Sequence, residues 1–178
     1  RNIDTLLMQS PYYPKARFIR AVSLFGMGDT VGAANALTDE MKLETSPQTV
    51  YYASYFQGKM NRPDSEYALL RVLLENSVRS GSGEFAKEGI DRLSDLFPLR
   101  GTPAECVGLI SDTRRTFPAD VPILLAAEEF YEHAGLLQEA EATLKQAQAI
   151  NPGDPEIGNR FVRLRGAQKA AAEGQKHP

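Results

Sequence analysis

A single cysteine, two histidines and no tryptophan occur in 178 residues. One thiol, Cys106, excludes an intrachain disulfide and a cysteine-based zinc cluster, and it fits a cytoplasmic or a periplasmic protein equally. No apolar run approaches the roughly 18 residues of a transmembrane helix. No segment sustains the polar–apolar alternation of a half-buried strand. Lys and Arg number 20 against 23 Asp and Glu, a net charge of −3. That balance gives no global attraction to nucleic acid or to an anionic membrane. Gly81-Ser82-Gly83 lacks the lysine and hydroxyl of a phosphate-binding loop and reads as a flexible linker. Asn151-Pro152-Gly153-Asp154-Pro155 lacks the alternating carboxylates of a calcium loop and reads as a turn. The chain opens on Arg1 with no leader pattern, so a segment of a longer protein is expected. Arginine exceeds lysine 13 to 7, a bias associated with GC-rich bacterial genomes. The compartment, envelope or periplasm against cytoplasm, stays open.

Catalysis has little to stand on. His177 falls in the terminal stretch 171–178, expected to be disordered. His133 has Glu129 one turn away but no third group to make a metal site or an acid–base pair, and reads as a surface or groove histidine. Cys106 sits at a small-residue packing position and reads as a core thiol. Arg160, Arg163 and Arg165 read as a solvated helix face or a surface for an acidic partner. No cofactor, no metal and no enzymatic activity are expected.

The positive signal is a repeat. Lys87–Asp120 and Val121–Asp154 align without a gap at a shift of 34 residues. Ile90 falls on Leu124, Leu93 on Ala127, Phe97 on Tyr131, Gly101 on Gly135, Cys106 on Ala140, Ile110 on Leu144 and Pro118 on Pro152. Pro14–Pro47 and a unit from Gln48 to about Ser82 follow the same plan less strictly, the second with Arg62-Pro63-Asp64 in place of the glycine. Within each unit apolar residues recur at three- and four-residue steps, the helical period. Thr102-Pro103-Ala104-Glu105 joins an N-cap hydroxyl, a first-turn proline and a capping-box glutamate. Ser46-Pro47 and Asp154-Pro155 repeat the cap-then-proline device. First helices are expected near 14–27, 47–60, 84–97 and 121–134, and second helices near 30–43, 64–79, 103–116 and 137–150. A capping helix is expected over 155–170. Small residues at Ala33, Ala68, Cys106 and Ala140 let each second helix approach its partner. Leu37, Val72, Ile110 and Leu144, one turn on, fill the space beyond.

These residues resemble the tetratricopeptide repeat. Unit four matches best, through Leu124, Ala127, Tyr131, Gly135, Ala140, Leu144, Ala147 and Pro152, and departs at Glu128, where the family often has glycine. Ile3–Pro11 is similar to the second helix of a preceding repeat. The resemblance implies an all-α, right-handed superhelical solenoid of antiparallel helix pairs. Four repeats (14–47, 48–82, 87–120, 121–154) and a C-terminal helix would form a single solenoid over residues 1–170.

It also implies a concave groove lined by the first helices. In this chain that means Lys15, Phe18, Val22 and Phe25, then Tyr52, Phe56 and Lys59, then Glu88, Asp91, Arg92 and Asp95, then Leu125, Glu129, Glu132 and His133. One end would be aromatic and the other acidic. The family's lysine–asparagine clamp for a C-terminal carboxylate is not matched, because Phe18, Val22 and Phe56 stand there. The implied function is a scaffold that binds a peptide or protein segment carrying an apolar anchor and basic residues, within a larger assembly. A self-assembling structural module and a helical appendage of an enzyme are the alternatives.

Overall fold

The computed structural model describes residues 3–9, 15–100 and 104–174. Among them are ten helices and no strand: α1 Ile3–Gln9, α2 Ala16–Gly26, α3 Thr30–Met41, α4 Pro47–Lys59, α5 Pro63–Ser80, α6 Ala86–Arg100, α7 Ala104–Thr116, α8 Val121–His133, α9 Leu137–Ile150 and α10 Pro155–Gly174. The last helix runs past the expected 170, into the stretch expected to be disordered. Residues 175–178, Gly101 and the Thr102-Pro103 cap lie outside the described residues. The chain divides into two compact units, Arg1–Asn76 and Ser77–Pro178.

Helices α3, α4, α8 and α10 each start where a short polar side chain takes up an orphan amide. The Asp29 carboxylate accepts from Gly32 N at 2.8 Å, and Ser46 Oγ accepts from Thr49 N at 3.1 Å. Asp120 accepts from Ile123 N at 3.0 Å and Asp154 from Glu156 N at 2.8 Å. Such caps stabilise a helix by about 1 kcal/mol each. Three first helices end in one and the same joint. Gly28, Asn61 and Gly135 have φ of 87°, 55° and 72°. Their amides donate to Phe25, Gly58 and Glu132 carbonyls, while the next amides, of Asp29, Arg62 and Leu136, reach back to Leu24, Gln57 and Tyr131. This is the paired 5→2 and 6→1 bonding of a left-handed helix stop. Asn61, not Arg62-Pro63-Asp64, therefore stands in for glycine in the second unit, asparagine being the usual substitute in that conformation.

The second helices bury one stripe. In α3 it is Ala33, Leu37 and Glu40; in α7 Cys106, Ile110 and Thr113; in α9 Ala140, Leu144 and Ala147. The expected stripe of α5 is displaced. Ala68 is exposed and Val72 is 37% exposed, whereas Glu66, Leu70, Leu73, Leu74 and Ser77 are buried. Glu66 follows the α4–α5 joint as Ala33 and Ala140 follow theirs, its amide donating to the carbonyl four residues back, like theirs. A buried carboxylate thus occupies the small-residue position. Gly58 makes the room: a methyl group built there would lie 2.5 Å from Glu66 Oε2. The small partner has moved from the second helix to the first.

In the first unit α2 packs on α3 and α3 on α4, around Ala21, Ala33, Ala36, Leu37, Ala53 and Phe56. In the second, α8 packs against α6, α7 and α9, and α9 against α10. Ile157 and Leu164 of α10 are buried, at the register of Ile123 and Phe130. Gly83 is not loose linker. A methyl group there would meet Ile123 Cδ1 at 3.3 Å and Phe117 Cε1 at 3.5 Å, so the segment before α6 lies close under α8.

Candidate functional site

Two faces carry the groove residues expected from the sequence, one in each unit. In the first, α2 and α4 share an aromatic layer. Phe18 meets Tyr52 edge-on at 5.4 Å, and Phe25 lies tilted against Phe56 at 4.8 Å and edge-on to Tyr55 at 5.8 Å. Lys59 Nζ lies 5.1 Å from the Tyr55 ring centre. Phe56 is 2% exposed and belongs to the core, not to a groove wall. It packs there among five alanines and Leu37. Phe18, Phe25 and Tyr52 are half-buried, and Lys15 and Lys59 are exposed. Val22 is 47% exposed and Ile19, not expected from the sequence, 49%. The aromatics here pack mainly on one another, leaving Ile19 and Val22 as the open apolar surface.

In the second unit the face deepens into a cleft of about 610 Å³. Lys87, Asp91, Ser94 and Asp95 of α6 form one wall. Val121, Pro122, Leu125 and Ala126 form an apolar floor on α8, with Glu129 above it. The α9–α10 turn and α10 close the far side through Asn151, Asp154, Glu156 and Arg160. Of the expected residues, Asp91, Asp95, Leu125 and Glu129 line this cleft. Glu88 and His133, both exposed, and Arg92 and Glu132, both half-buried, are not in its lining. The residues of α10 were not foreseen. The 34-residue register would have placed Glu156 on Pro122 and Arg160 on Ala126, had it been carried past 154.

Carboxylates outnumber cations in the lining, five to two. Lys87 Nζ pairs with Asp91 at 2.5 Å and Arg92 with Asp95 at 3.1 Å, both between largely exposed groups. The hydrogen bond to Asp91 holds the Lys87 ammonium above its ordinary range, with Glu88 and Glu129 adding to the effect. Arg160 is differently held. Its Nη1 donates to Glu128 Oε2 at 2.8 Å, to Glu129 at 3.3 Å and to the Leu125 carbonyl at 3.1 Å, and its Nη2 to Glu156 at 2.9 Å. Arg163 pairs with Glu132 at 2.7 Å. Arg160 therefore faces α8 from within the chain and is not part of a solvated face or a surface for an acidic partner, whereas Arg163, though paired with Glu132, is 48% exposed and Arg165 is exposed. The acidic groove end expected at Glu129 and Glu132 is largely neutralised by Arg160 and Arg163. Glu128, fully buried, has its carboxyl pushed up by burial against the pull of Arg160. Its Oε1 has no hydrogen bond and faces Arg163 at 3.5 Å. Ser94 is 4% exposed, and its hydroxyl also has no partner.

Comparison with solved structures defines the fold. The C-terminal part of a TPR repeat-containing protein from Cytophaga hutchinsonii superposes with a TM-score of 0.66 at 10% identity, over 95% of this chain and 65% of that one. MamA gives 0.57 at 15% identity, over 90% and 87%. YrrB, described as a TPR protein with an unusual peptide-binding site, gives 0.57 at 13%, over 90% and 80%. No protein-family model and no curated protein matches the sequence. The chain has the tetratricopeptide-repeat fold, an all-α helical-repeat architecture. Among the described residues no helix is long and apolar enough to cross a membrane.

Proposed function

We propose that the chain is a protein-interaction module whose Ser77–Pro178 unit holds a segment of a partner protein in the cleft between α6, α8 and α10. The segment carries an apolar anchor and at least one basic residue. The observation that carries this reading is the cleft's makeup: an apolar floor at Val121, Pro122, Leu125 and Ala126 beneath a rim with five carboxylates and two cations. Apolar burial on such a floor supplies affinity, and the rim charge steers association and fixes orientation. The fold neighbour YrrB, described as having a peptide-binding site, supports the class of ligand. The exposed Ile19 and Val22 of the first unit offer a second apolar surface to the same partner or to another part of an assembly.

The test is selection of displayed peptides on the purified chain, followed by amide NMR mapping of a selected peptide. The expected consensus pairs an aliphatic or aromatic residue with Arg or Lys, and the shifts fall on α6, the first turns of α8 and the start of α10. Selected peptides that shift only the outer faces of α7 and α9 would reject the cleft as the binding site.

A further inference from the structure

We infer that the α6 wall of this cleft is a subsite for one arginine side chain of the bound segment, an assignment that rests on the reading above. Ser94 and Asp95 lie three and four residues after Asp91, the steps that bring each of them alongside it on the helix surface. Among the described residues both carboxylates pair with flexible neighbours on their own helix, Lys87 and Arg92, in pairs open to solvent. Such pairs contribute little to stability, so an incoming cation exchanges with them at small cost. The Ser94 hydroxyl, on the same wall, is buried and without a hydrogen-bond partner. An unmet buried hydroxyl is unfavourable in the free protein, and a donor arriving from the cleft relieves it. Lys87 shows that the wall accepts a cation, because its ammonium already lies in the field of Asp91, Glu88 and Glu129.

Arginine fits this wall better than lysine. Its planar fork presents several donors at once and can serve a carboxylate and the hydroxyl together, whereas an ammonium acts as a point charge. The arginine stem is apolar along its methylenes and lies on Pro122 and Leu125 while the head reaches α6. A volume of about 610 Å³ leaves space beside that stem for the anchor residue. Arg160, across the cleft, is committed to Glu128, Glu129, Glu156 and the Leu125 carbonyl. It closes that side to a second cation and does not compete for Asp95.

The experiment titrates the whole chain with N-acetyl-arginine methylamide and with its citrulline counterpart, which has the same shape without the charge, and follows amide NMR shifts. The arginine probe should give saturable shifts at Asp91, Ser94 and Asp95. Citrulline should bind about tenfold more weakly, the loss of a charge-assisted hydrogen bond. Asp95→Asn should weaken the arginine probe and leave citrulline unchanged. Ser94→Ala should raise the melting temperature, since the unmet hydroxyl is gone, and still weaken the arginine probe. A purely structural serine would not produce that opposition. No saturable shift with arginine, equal binding of citrulline, or shifts confined to other helices overturns the assignment. If citrulline equals arginine while selected peptides still map to the cleft, the apolar-anchor reading stands and the subsite falls. If the arginine probe titrates α6 while peptides map elsewhere, the subsite stands and the segment reading falls.

Discussion

A carboxylate at Glu128 is tolerated because Arg160 returns to it across 32 residues. The guanidinium satisfies one oxygen and in the same gesture bonds Glu129, Glu156 and a backbone carbonyl. Removing one partner of a buried pair costs more than the pair contributes, because the other charge is left stranded. Arg160→Met is therefore expected to lose about 3–5 kcal/mol in urea unfolding. Glu128→Ala in the same chain should recover most of that loss, since a small residue is what the repeat pattern asks for there. The loss should depend on pH with a definite sign. The folded-state value of Glu128 lies above the ordinary 4.5 because of burial, so the folded chain holds this proton more tightly than the unfolded one. The carboxyl's contribution to stability falls as pH rises from 4.5 through that raised value. Without Arg160 the Glu128 carboxyl is pushed up further still, so the Arg160→Met deficit should be largest above that still higher value and shrink as pH falls toward the native one. A deficit that does not change with pH across that span would show that Arg160 does not act through the Glu128 charge.

At the scale of the helix, the joint and the stripe have different legibility. The joints are written locally, in Gly28, Asn61 and Gly135 and the caps that follow them, so the expected helix bounds lie within a few residues of the observed ones. The α5 stripe is not local. Ala68 and Val72 satisfied a small-then-large rule, but the face that α5 buries is set by Leu70, Leu73 and Leu74 and by a glycine one helix earlier. The same limit hid Arg160: its partners lie on α8, and only the repeat register carried past residue 154 could have pointed to it. The Gly58–Glu66 contact can be measured as a double-mutant cycle. In a Glu66→Ala background, Gly58→Ala should stabilise by about 0.5–1 kcal/mol, the ordinary gain of alanine over glycine within a helix. With Glu66 present the same change should destabilise, because the new methyl meets a buried carboxylate at 2.5 Å. Equal effects in both backgrounds would mean that the carboxylate moves aside freely.

For the whole molecule, each unit has its own core, and each core has its own test. Leu37 and Leu144 are fully buried in different units. Their replacement by alanine should each cost about 2–5 kcal/mol. In a helical-repeat protein, stability is close to a sum of local terms. Followed by NMR residue by residue in urea, Leu37→Ala should shift the transition of residues 16–60 and spare 104–165, and Leu144→Ala the reverse. One shared transition moved equally by both would make the chain a single cooperative block. Two of the buried glutamates, Glu66 and Glu128, have a consequence for how such a chain departs from its repeat pattern. Gly58 with Glu66, and Glu128 with Arg160, are substitutions that make sense only two at a time. A pattern that weighs each site by itself counts them as defects, whereas the folded chain experiences them as matched exchanges. The architecture can therefore hold where the single-letter pattern is broken, because each break is met by its partner.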